Sequence, residues 1–207
     1  MHDPHAGGER VVAAFDFDKT ISTRDNVVPF LRAVVGRPRV VRALLAITPR
    51  LVRAALDDDR RDAAKAALVR HTLTGCDAGR VAEIADAFAR DVLAHHLRPD
   101  VVERVVWHRG QGHEVVIVSA SLRNYLDPIA SELGVSAVLA TELAVGDDGL
   151  LTGELAGPNV RGAEKVRRLD DWLGDRPAYV WAYGDSSGDN ELLARADQAV
   201  TVDRGPS

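Results

Sequence analysis

Apolar runs alternate with helix-like segments along most of this chain. The runs over 11–17, 115–118 and 179–183 are continuous, and each leads into polar residues. Continuous apolar runs of this length are typical of strands that are buried on both faces of a sheet. Further strands are predicted over 137–139 and 199–202, and helices over 99–109, 122–133, 162–173 and 188–196. Because strands and helices alternate, the chain predicts an α/β fold built on a parallel sheet.

Two segments depart from this alternation. Residues 24–96 show helical spacing without a convincing strand run, and Pro38 and Pro49 are predicted to punctuate the helices there. An all-helical stretch inserted after the first strand implies a second lobe. Residues 142–155 differ again, because an Asp/Gly turn between two short apolar segments predicts a hairpin.

Composition and charge narrow the classes of function. The chain has 207 residues, of which 46% are apolar and 28% charged. These values are close to those of ordinary soluble proteins and argue against disorder or a coiled coil. The length predicts one domain, or one domain with a sizeable insertion. The net charge of −5 argues against a basic surface that binds nucleic acid. A small anionic substrate, by contrast, needs positive charge only within its binding site.

Several features bear on the cellular compartment. Residues 1–9 form a polar tail without the basic and apolar regions of a signal peptide. The apolar runs fall far short of the roughly 20 residues that a transmembrane helix needs. Cys76 is the single cysteine, which excludes a disulfide framework. We therefore expect a cytoplasmic protein without stable membrane insertion.

Two segments rich in charged residues lie within the helical stretch. The block DDDRRD at 57–62 predicts a solvated turn or the start of a helix. The stretch 39–56 is basic and amphipathic, which is compatible with binding at a membrane surface or with packing inside the helical lobe. Pro49 and the net acidic charge of the chain favour packing.

Polar side chains follow three of the predicted strands. In open α/β sheets, ligands bind outside the carboxyl ends of the strands, so we expect these side chains to share one cleft. The set, together with the lysine that starts a predicted helix, comprises Asp16, Asp18, Thr20, Ser119, Lys165, Asp185 and Asp189. Carboxylates that lie close together favour a hard cation such as Mg²⁺. Hydroxyl groups, a lysine and turn amides can hold phosphate oxygens.

Such a cleft is suited to phosphoryl transfer. One aspartate can act as a nucleophile and form an aspartyl-phosphate. A second carboxylate two residues on can protonate the leaving oxygen and then activate water. A divalent cation would neutralise charge on the carboxylates and the phosphoryl group. Taken alone, however, Ser119 also fits a helix cap, and Lys165 a solvated lysine.

Four motifs in this order resemble the haloacid dehalogenase (HAD) superfamily, and within it the phosphoserine-phosphatase-like branch, subfamily IB. They are DFDKT at 16–20, the serine of VVIVSAS, the lysine of GAEKVRRL and GDSSGD at 184–189. The resemblance covers about residues 11–202. It implies a Rossmann-like parallel-sheet core over 1–23 and 97–207, with an inserted α-helical cap of the C1 type over 24–96.

The resemblance also implies roles for individual residues. Asp16 would be the nucleophile, and Asp18 the general acid and base. The phosphoryl group would be held by Thr20, Ser119 and Lys165. The Mg²⁺ site would comprise Asp16, the main-chain carbonyl of Asp18, and Asp185, with support from Asp189. Asp25 stands nine residues after the nucleophile, where phosphoserine phosphatases carry a glutamate, and would contact the substrate from the cap.

These roles imply a Mg²⁺-dependent phosphatase that hydrolyses a small phosphorylated metabolite, with a substrate similar to phosphoserine or histidinol phosphate. The second aspartate, Asp18, favours phosphate esters over carbon–halogen bonds, because a halide leaving group needs no proton. Two alternatives stay open. One is a phosphotransferase or mutase that passes the same aspartyl-phosphate to an alcohol. The other is a non-catalytic phosphometabolite-binding protein.

Overall fold

The fold combines a parallel sheet with seven described helices. The computed structural model describes residues 10–54 and 58–203, so the predicted polar tail and residue 57 lie outside the described residues. The strands are β1 Val11–Phe15, β2 Glu114–Leu122, β3 Ala137–Thr141, β4 Leu143–Val145, β5 Leu151–Leu155, β6 Tyr179–Gly184 and β7 Gln198–Thr201. The helices are α1 Val27–Ala54, α2 Asp58–Leu73, α3 Ala78–His95, α4 Pro99–Gly110, α5 Arg123–Leu133, α6 Ala163–Leu173 and α7 Asn190–Arg195.

Five strands form the central sheet, in the order β3-β2-β1-β6-β7, and every neighbouring pair is parallel. The chain builds outward from β1 to β3 and then returns to the other side of β1 to form β6 and β7. The direction of winding therefore reverses between β1 and β6, and the carboxyl ends of these two strands border a crevice. The α/β class and the parallel sheet expected from the sequence are confirmed.

Alternate residues of the strands point to two separate apolar layers. On one face, Phe15 and Ile117 pack with α4 and α5 and with buried residues of α1–α3. On the other face, Ala14 and Val118 pack with α6 and α7. Since both faces are covered, β1 is apolar at all five positions, which is the continuous run visible in the sequence. The predicted hairpin is also present, with β4 and β5 antiparallel.

The helices α1–α3 lie between β1 and β2 in sequence and contribute no strand to the sheet. The two chain passages that connect them to the remainder run side by side. The amide of Thr23 donates to the carbonyl of His96, and the amide of Arg98 donates to that of Ile21, both at 2.9 Å. The division into a core and a cap, with boundaries at 24 and 96, stays a prediction.

Of the two interruptions predicted at prolines, the one at Pro38 lies close to an observed kink and the one at Pro49 does not. The predicted interruption at Pro49 is wrong, because α1 continues to Ala54. The kink instead lies at Gly36, with φ 78° and ψ 159°, two residues before Pro38. Such a positive φ is readily adopted by glycine, which lacks a Cβ. Among the described residues, no helix is long and apolar enough to span a membrane.

Candidate active site

The two strands at the crevice carry the first acidic residues of the site. Asp16 follows β1 directly, and its amide donates to the carbonyl of Tyr183 in β6 at 2.9 Å. The Tyr183 ring stacks on Phe15 with a centroid separation of 4.2 Å. Asp185 follows β6, so the parallel pairing of β1 with β6 brings both aspartates to the same edge of the sheet.

The turn after Asp16 has an unusual backbone. Residues Phe17–Ile21 form one irregular helical turn in which Lys19 has φ 60° and ψ 0°. Among the described residues other than glycine, only Lys19 has a positive φ. This conformation costs an L-residue about 1 kcal/mol or more. This turn reverses the chain within a few residues. It places Asp16 and Asp18 in the lining of one cavity.

Lys165 lies between two carboxylates in the protein interior. Its side chain is 2% exposed, and Nζ donates to Asp16 Oδ1 at 2.5 Å and to Asp189 Oδ1 at 2.6 Å. Burial opposes the charge of Lys165, but the two carboxylates outweigh burial and raise the pKa of the ammonium. Lys165 is therefore not a solvated lysine, and α6 holds it beneath the nucleophile position.

Asp16 and Asp189 share the ammonium group of Lys165, but the pKa values of the two carboxyl groups are shifted in opposite directions. Burial raises the pKa of Asp16 to about 7, although Lys165 acts in the opposite direction. Burial also acts to raise the pKa of Asp189, but Lys165 and the donors of Ser186 outweigh it and lower that pKa. Asp189 thus carries the charge that balances Lys165. An additional positive charge would favour ionised Asp16.

The loop after β6 folds tightly around Asp189. Its Oδ2 accepts hydrogen bonds from the amide of Asp185 at 3.2 Å, and from the amide and Oγ of Ser186 at 3.0 and 2.8 Å. Gly184 permits this approach, since a Cβ there would lie 2.5 Å from the Cβ of Asp189. Both oxygens of Asp189 are therefore engaged by protein donors.

The acidic residues form a cluster that suits a divalent cation. Asp16, Asp185 and Asp189 each offer a carboxylate oxygen, and these oxygens all lie within 4.8 Å of one another. Hard oxygen ligands are those that Mg²⁺ prefers in proteins. Two positive charges would offset the carboxylate repulsion that helps to raise the pKa of Asp16. The donor set therefore fits Mg²⁺ on chemical grounds.

Asp18 is held in a fixed orientation by two neighbours. Its Oδ1 accepts from the amide of Asn26 at 3.0 Å and from Asn26 Nδ2 at 2.8 Å, and its Oδ2 accepts from Ser121 Oγ at 2.7 Å. Burial raises the pKa of Asp18, although these hydrogen bonds act in the opposite direction. Because both oxygens are held, the carboxyl group keeps one orientation beside Asp16.

Two of the predicted phosphate ligands, Ser119 and Thr20, are buried hydroxyl residues. Ser119 is 1% exposed, lines the cavity and accepts a hydrogen bond from the amide of Ser121 at 3.2 Å. It lies where β2 shifts register against β3, and such bulges commonly re-aim side chains near active sites. Thr20 is fully buried, and its Oγ1 has no hydrogen-bond partner among the described residues. An unsatisfied buried hydroxyl here is consistent with a ligand oxygen as its partner.

Asp25 is placed at the mouth of the site. It lines the same cavity, and its carboxylate forms an ion pair with Lys19. The Asp25 side chain is largely exposed, at 68%, and that of Lys19 is partly exposed, at 40%. The position is compatible with the predicted contact to a substrate, while the negative charge of Asp25 is partly balanced by its neighbour.

These residues enclose a cavity of about 160 Å³. The structure brings seven of the predicted residues into its lining, and Thr20 is not among them; the seven are Asp16, Asp18, Asp25, Ser119, Lys165, Asp185 and Asp189. A larger cavity, of about 460 Å³, lies between α4 and β7, and none of the predicted site residues lines it. The smaller cavity is the candidate site because the converging charges and hydroxyl groups are there.

Sequence reasoning did not identify every residue of the site. Asn26 and Ser121 orient Asp18, and Lys65 donates to the carbonyl of Ala120, next to Ser119 in β2. Ser121 could have been noticed as the second serine of the SAS motif. Asn26 lies eight positions from Asp18 but belongs to no motif. Lys65 had no local signal, because it lies in the helical stretch and contacts residues distant in sequence.

Comparisons with known proteins agree with this geometry. A profile of the family described as haloacid dehalogenase-like hydrolase matches residues 13–194. "Protein CicA" of Caulobacter vibrioides is 40% identical over 93% of this chain and 86% of its own length. "Probable phosphatase Rv3661" of Mycobacterium tuberculosis is 30% identical over 95% of this chain and 70% of its own length.

Solved structures support the same fold. A structure described as a phospho-aspartyl intermediate analogue of phosphoserine phosphatase aligns with a TM-score of 0.67 and 19% identity. The alignment covers 93% of this chain and 86% of that one. At this identity the likeness concerns the fold. The α/β fold and the family resemblance that the sequence predicted are therefore confirmed.

Proposed function

Because the chain belongs to the family of haloacid dehalogenase-like hydrolases, we propose that it is a Mg²⁺-dependent phosphatase that acts on a small phosphomonoester through an aspartyl-phosphate at Asp16. One observation carries the proposal. A buried lysine is paired with two aspartates at the switch point of the sheet, and Asp18 is oriented beside them. A nucleophile, an acid and an anion-binding cation then face one cavity.

The chemistry follows from what each side chain can do. Asp16 attacks the phosphorus atom, and the bond between phosphorus and the alcohol oxygen breaks. Asp18 donates its proton to that oxygen, so the alcohol leaves neutral. Asp18, now ionised, accepts a proton from water as the water attacks the phosphorus of the aspartyl-phosphate. Phosphate is released, and Asp16 is restored.

Other residues hold the phosphoryl group and its charge. Lys165, Ser119 and Thr20 would donate to the phosphoryl oxygens. Asp16, Asp185 and the carbonyl of Asp18 would hold Mg²⁺, and the Asp189 carboxylate, whose two oxygens accept from Lys165 and Ser186, would support that loop. Mg²⁺ supplies charge neutralisation for the anionic nucleophile and the anionic ester when both are bound. The helical stretch 24–96 would close over the cavity and select the alcohol portion of the substrate.

The direct test of this proposal is phosphate release. The protein would be incubated with phosphoserine, histidinol phosphate, sugar phosphates and nucleotides, with Mg²⁺ or with a chelator. Turnover that needs Mg²⁺ would support the proposal. Acceptor alcohols, added in parallel, would distinguish hydrolysis from phosphotransfer, since a transferase would yield a new phosphate ester. Binding of phosphate esters without any turnover would contradict the proposal and favour a binding protein.

Thr20→Val should separate catalysis from stability. The hydroxyl of Thr20 lacks a partner in the fold, so its removal should leave the free energy of unfolding unchanged or slightly increased. A lost hydrogen bond to a phosphoryl oxygen should lower kcat/KM roughly 10- to 100-fold. Urea denaturation and steady-state kinetics would measure the two effects.

A matched control for this variant is Thr72→Val. Thr72 is also fully buried, but its hydroxyl already donates to the carbonyl of Leu68 at 2.7 Å in α2. The control should keep its activity. If Thr20→Val left kcat/KM unchanged, Thr20 would not be a phosphate ligand.

Mg²⁺ should stabilise the folded protein even without substrate. At about 100 times its dissociation constant, a cation that binds the folded state alone adds ~2.7 kcal/mol, or about 5–10 °C in Tm for a chain of this length. Asp185→Asn should reduce this shift, because it removes one carboxylate of the acidic cluster. Asp100→Asn, an exposed carboxylate on α4, should keep it. Equal shifts in both variants would place the cation elsewhere.

A further inference from the structure

Helix α1 packs against the rest of the protein through one face. In the part that follows the kink at Gly36, the buried apolar residues are Val40, Ala43 and Ile47. Their spacing of three and four positions places them on one side of the helix. A helix that packs in this way is expected to carry polar residues on its opposite, solvent-facing side.

The opposite side of α1 instead carries large apolar side chains. Val41 is 48% exposed and Leu45 is 69% exposed, and because they are four positions apart they are neighbours on the helix surface. Pro38 is also exposed and extends the same line by three positions. We call these three residues, Pro38, Val41 and Leu45, the outer apolar row. Exposed apolar side chains that adjoin one another, unlike scattered ones, indicate a surface that binds a partner.

The charges around the outer apolar row are all positive. Residues 26–56 include six arginines and no Asp or Glu, although acidic residues outnumber Lys and Arg by 31 to 26 in the whole chain. Arg37, Arg39 and Arg42 are exposed beside the row. Arg39 donates to the carbonyl of Thr74, and no described carboxylate forms an ion pair with Arg37 or Arg42. The positive charge of this surface is therefore not balanced within the described part of the protein.

An anionic partner matches this surface better than a second copy of the chain does. A two-fold contact through the outer apolar row would bring the arginines of both copies together, and like charges in close contact are unfavourable. The arginines lie on both sides of the row, which is the arrangement of helices that lie in the interface of a bilayer. There, anionic headgroups attract the arginines while the apolar side chains enter the boundary of the acyl chains.

We propose that the outer face of α1, formed by the outer apolar row with Arg37 and Arg42, binds the anionic phospholipid surface of a membrane. Binding would be peripheral and reversible, because a few apolar side chains add only modest affinity and require electrostatic attraction beside it. The two interpretations of the basic stretch 39–56, packing and membrane binding, then apply to opposite faces of one helix. None of these residues lines the cavity of the candidate active site, so the inference is independent of the proposed phosphatase function.

Sedimentation with vesicles tests this proposal on the unmodified chain. The protein would be mixed with vesicles of phosphatidylcholine alone, or with vesicles of equal parts of phosphatidylcholine and phosphatidylglycerol. We expect binding to the anionic vesicles at low salt, with an affinity roughly 30-fold or more above that for the neutral vesicles. High salt should weaken this binding strongly, because exposed charges are then screened.

A pair of charge variants locates the binding surface. Arg37→Gln combined with Arg42→Gln should weaken binding to the anionic vesicles roughly 30-fold. The matched control, Arg80→Gln combined with Arg167→Gln, changes the net charge by the same amount at exposed positions on α3 and α6. It should weaken binding by less than about threefold. An equal loss in both proteins would show an effect of net charge alone and would overturn the proposal.

A second pair of variants tests the outer apolar row. Val41→Ser combined with Leu45→Ser should weaken binding roughly 10-fold or more, because both side chains lose apolar surface that the bilayer would cover. Val106→Ser on α4, where the valine is 58% exposed, should leave binding unchanged. Thermal unfolding should be nearly unaffected in all of these variants, since each substitution replaces an exposed side chain.

The remaining outcomes would each overturn the proposal. Equal binding to neutral and anionic vesicles, or binding to neither, would exclude recognition of anionic lipid. Binding to soluble polyglutamate but not to vesicles would assign the surface to an acidic protein segment. Self-association that is lost in the Val41 and Leu45 variant, without binding to vesicles, would assign it to a second copy of the chain. Sedimentation requires no turnover, so its result stands whether or not the protein releases phosphate.

Discussion

Asp16→Asn is expected to reduce phosphate release by about 10⁴-fold or more, the scale of loss that removal of a catalytic nucleophile causes. An amide is a poor nucleophile toward phosphorus and forms no acyl phosphate. The fold should persist, because the amide oxygen can still accept the hydrogen bond that Lys165 donates at 2.5 Å. Phosphate release in steady state, with thermal unfolding beside it, would measure both effects.

A control and a direct probe sharpen this prediction. Asp100→Asn makes the same substitution at an exposed carboxylate on α4 and should retain full activity. Borohydride should reduce a phosphorylated Asp16 to homoserine during turnover, which peptide mass spectrometry would identify. Substantial activity in Asp16→Asn, or homoserine at another position, would disprove the covalent mechanism at Asp16.

Lys165→Met is expected to lower both stability and activity. Lys165 is 2% exposed and is the hydrogen-bond donor shared by Asp16 and Asp189. Without it, two buried carboxylates lose their common cation, and breaking a buried ion pair costs about 3–5 kcal/mol. Urea denaturation in the presence of a chelator would measure this loss. Arg167→Met on the same helix breaks exposed pairs and should cost about 1 kcal/mol or less.

A double variant tests the physical reason for this loss. If the cost of Lys165→Met arises from the charge left on Asp189, then Asp189→Asn in the same protein should recover part of the stability. Asparagine can still accept the hydrogen bonds of Ser186 through its oxygen. Additive losses in the double variant would show that packing of the lysine, rather than charge balance, causes the effect. The activity should stay low in either case, because the phosphoryl group would lack its cation.

Much of the central sheet could be predicted because the residues that mark each strand are adjacent in the sequence. The three central strands β1, β2 and β6 contain continuous apolar runs, and burial on both faces of the sheet requires that pattern. The order of motifs placed Asp16, Ser119 and Asp185 near the carboxyl ends of strands, and parallel topology requires those ends to meet. The structure of the helical stretch was harder to predict from the sequence. Helix α1 is kinked at Gly36 and continues through Pro49, where a break was predicted. Backbone conformation in this helix depends on packing as well as on residue type.

The sequence by itself determined the fold class, the family and which side chains could reach the crevice. These properties follow from periodicity and from the residues next to each strand, which are local in the chain. Tertiary structure alone decided how the charges are balanced. Lys165 meets Asp16 across 149 positions, and Lys65 meets Asn159 across 94. Burial, hydrogen-bond partners and therefore pKa depend on such distant neighbours, and no local pattern along the chain encodes them.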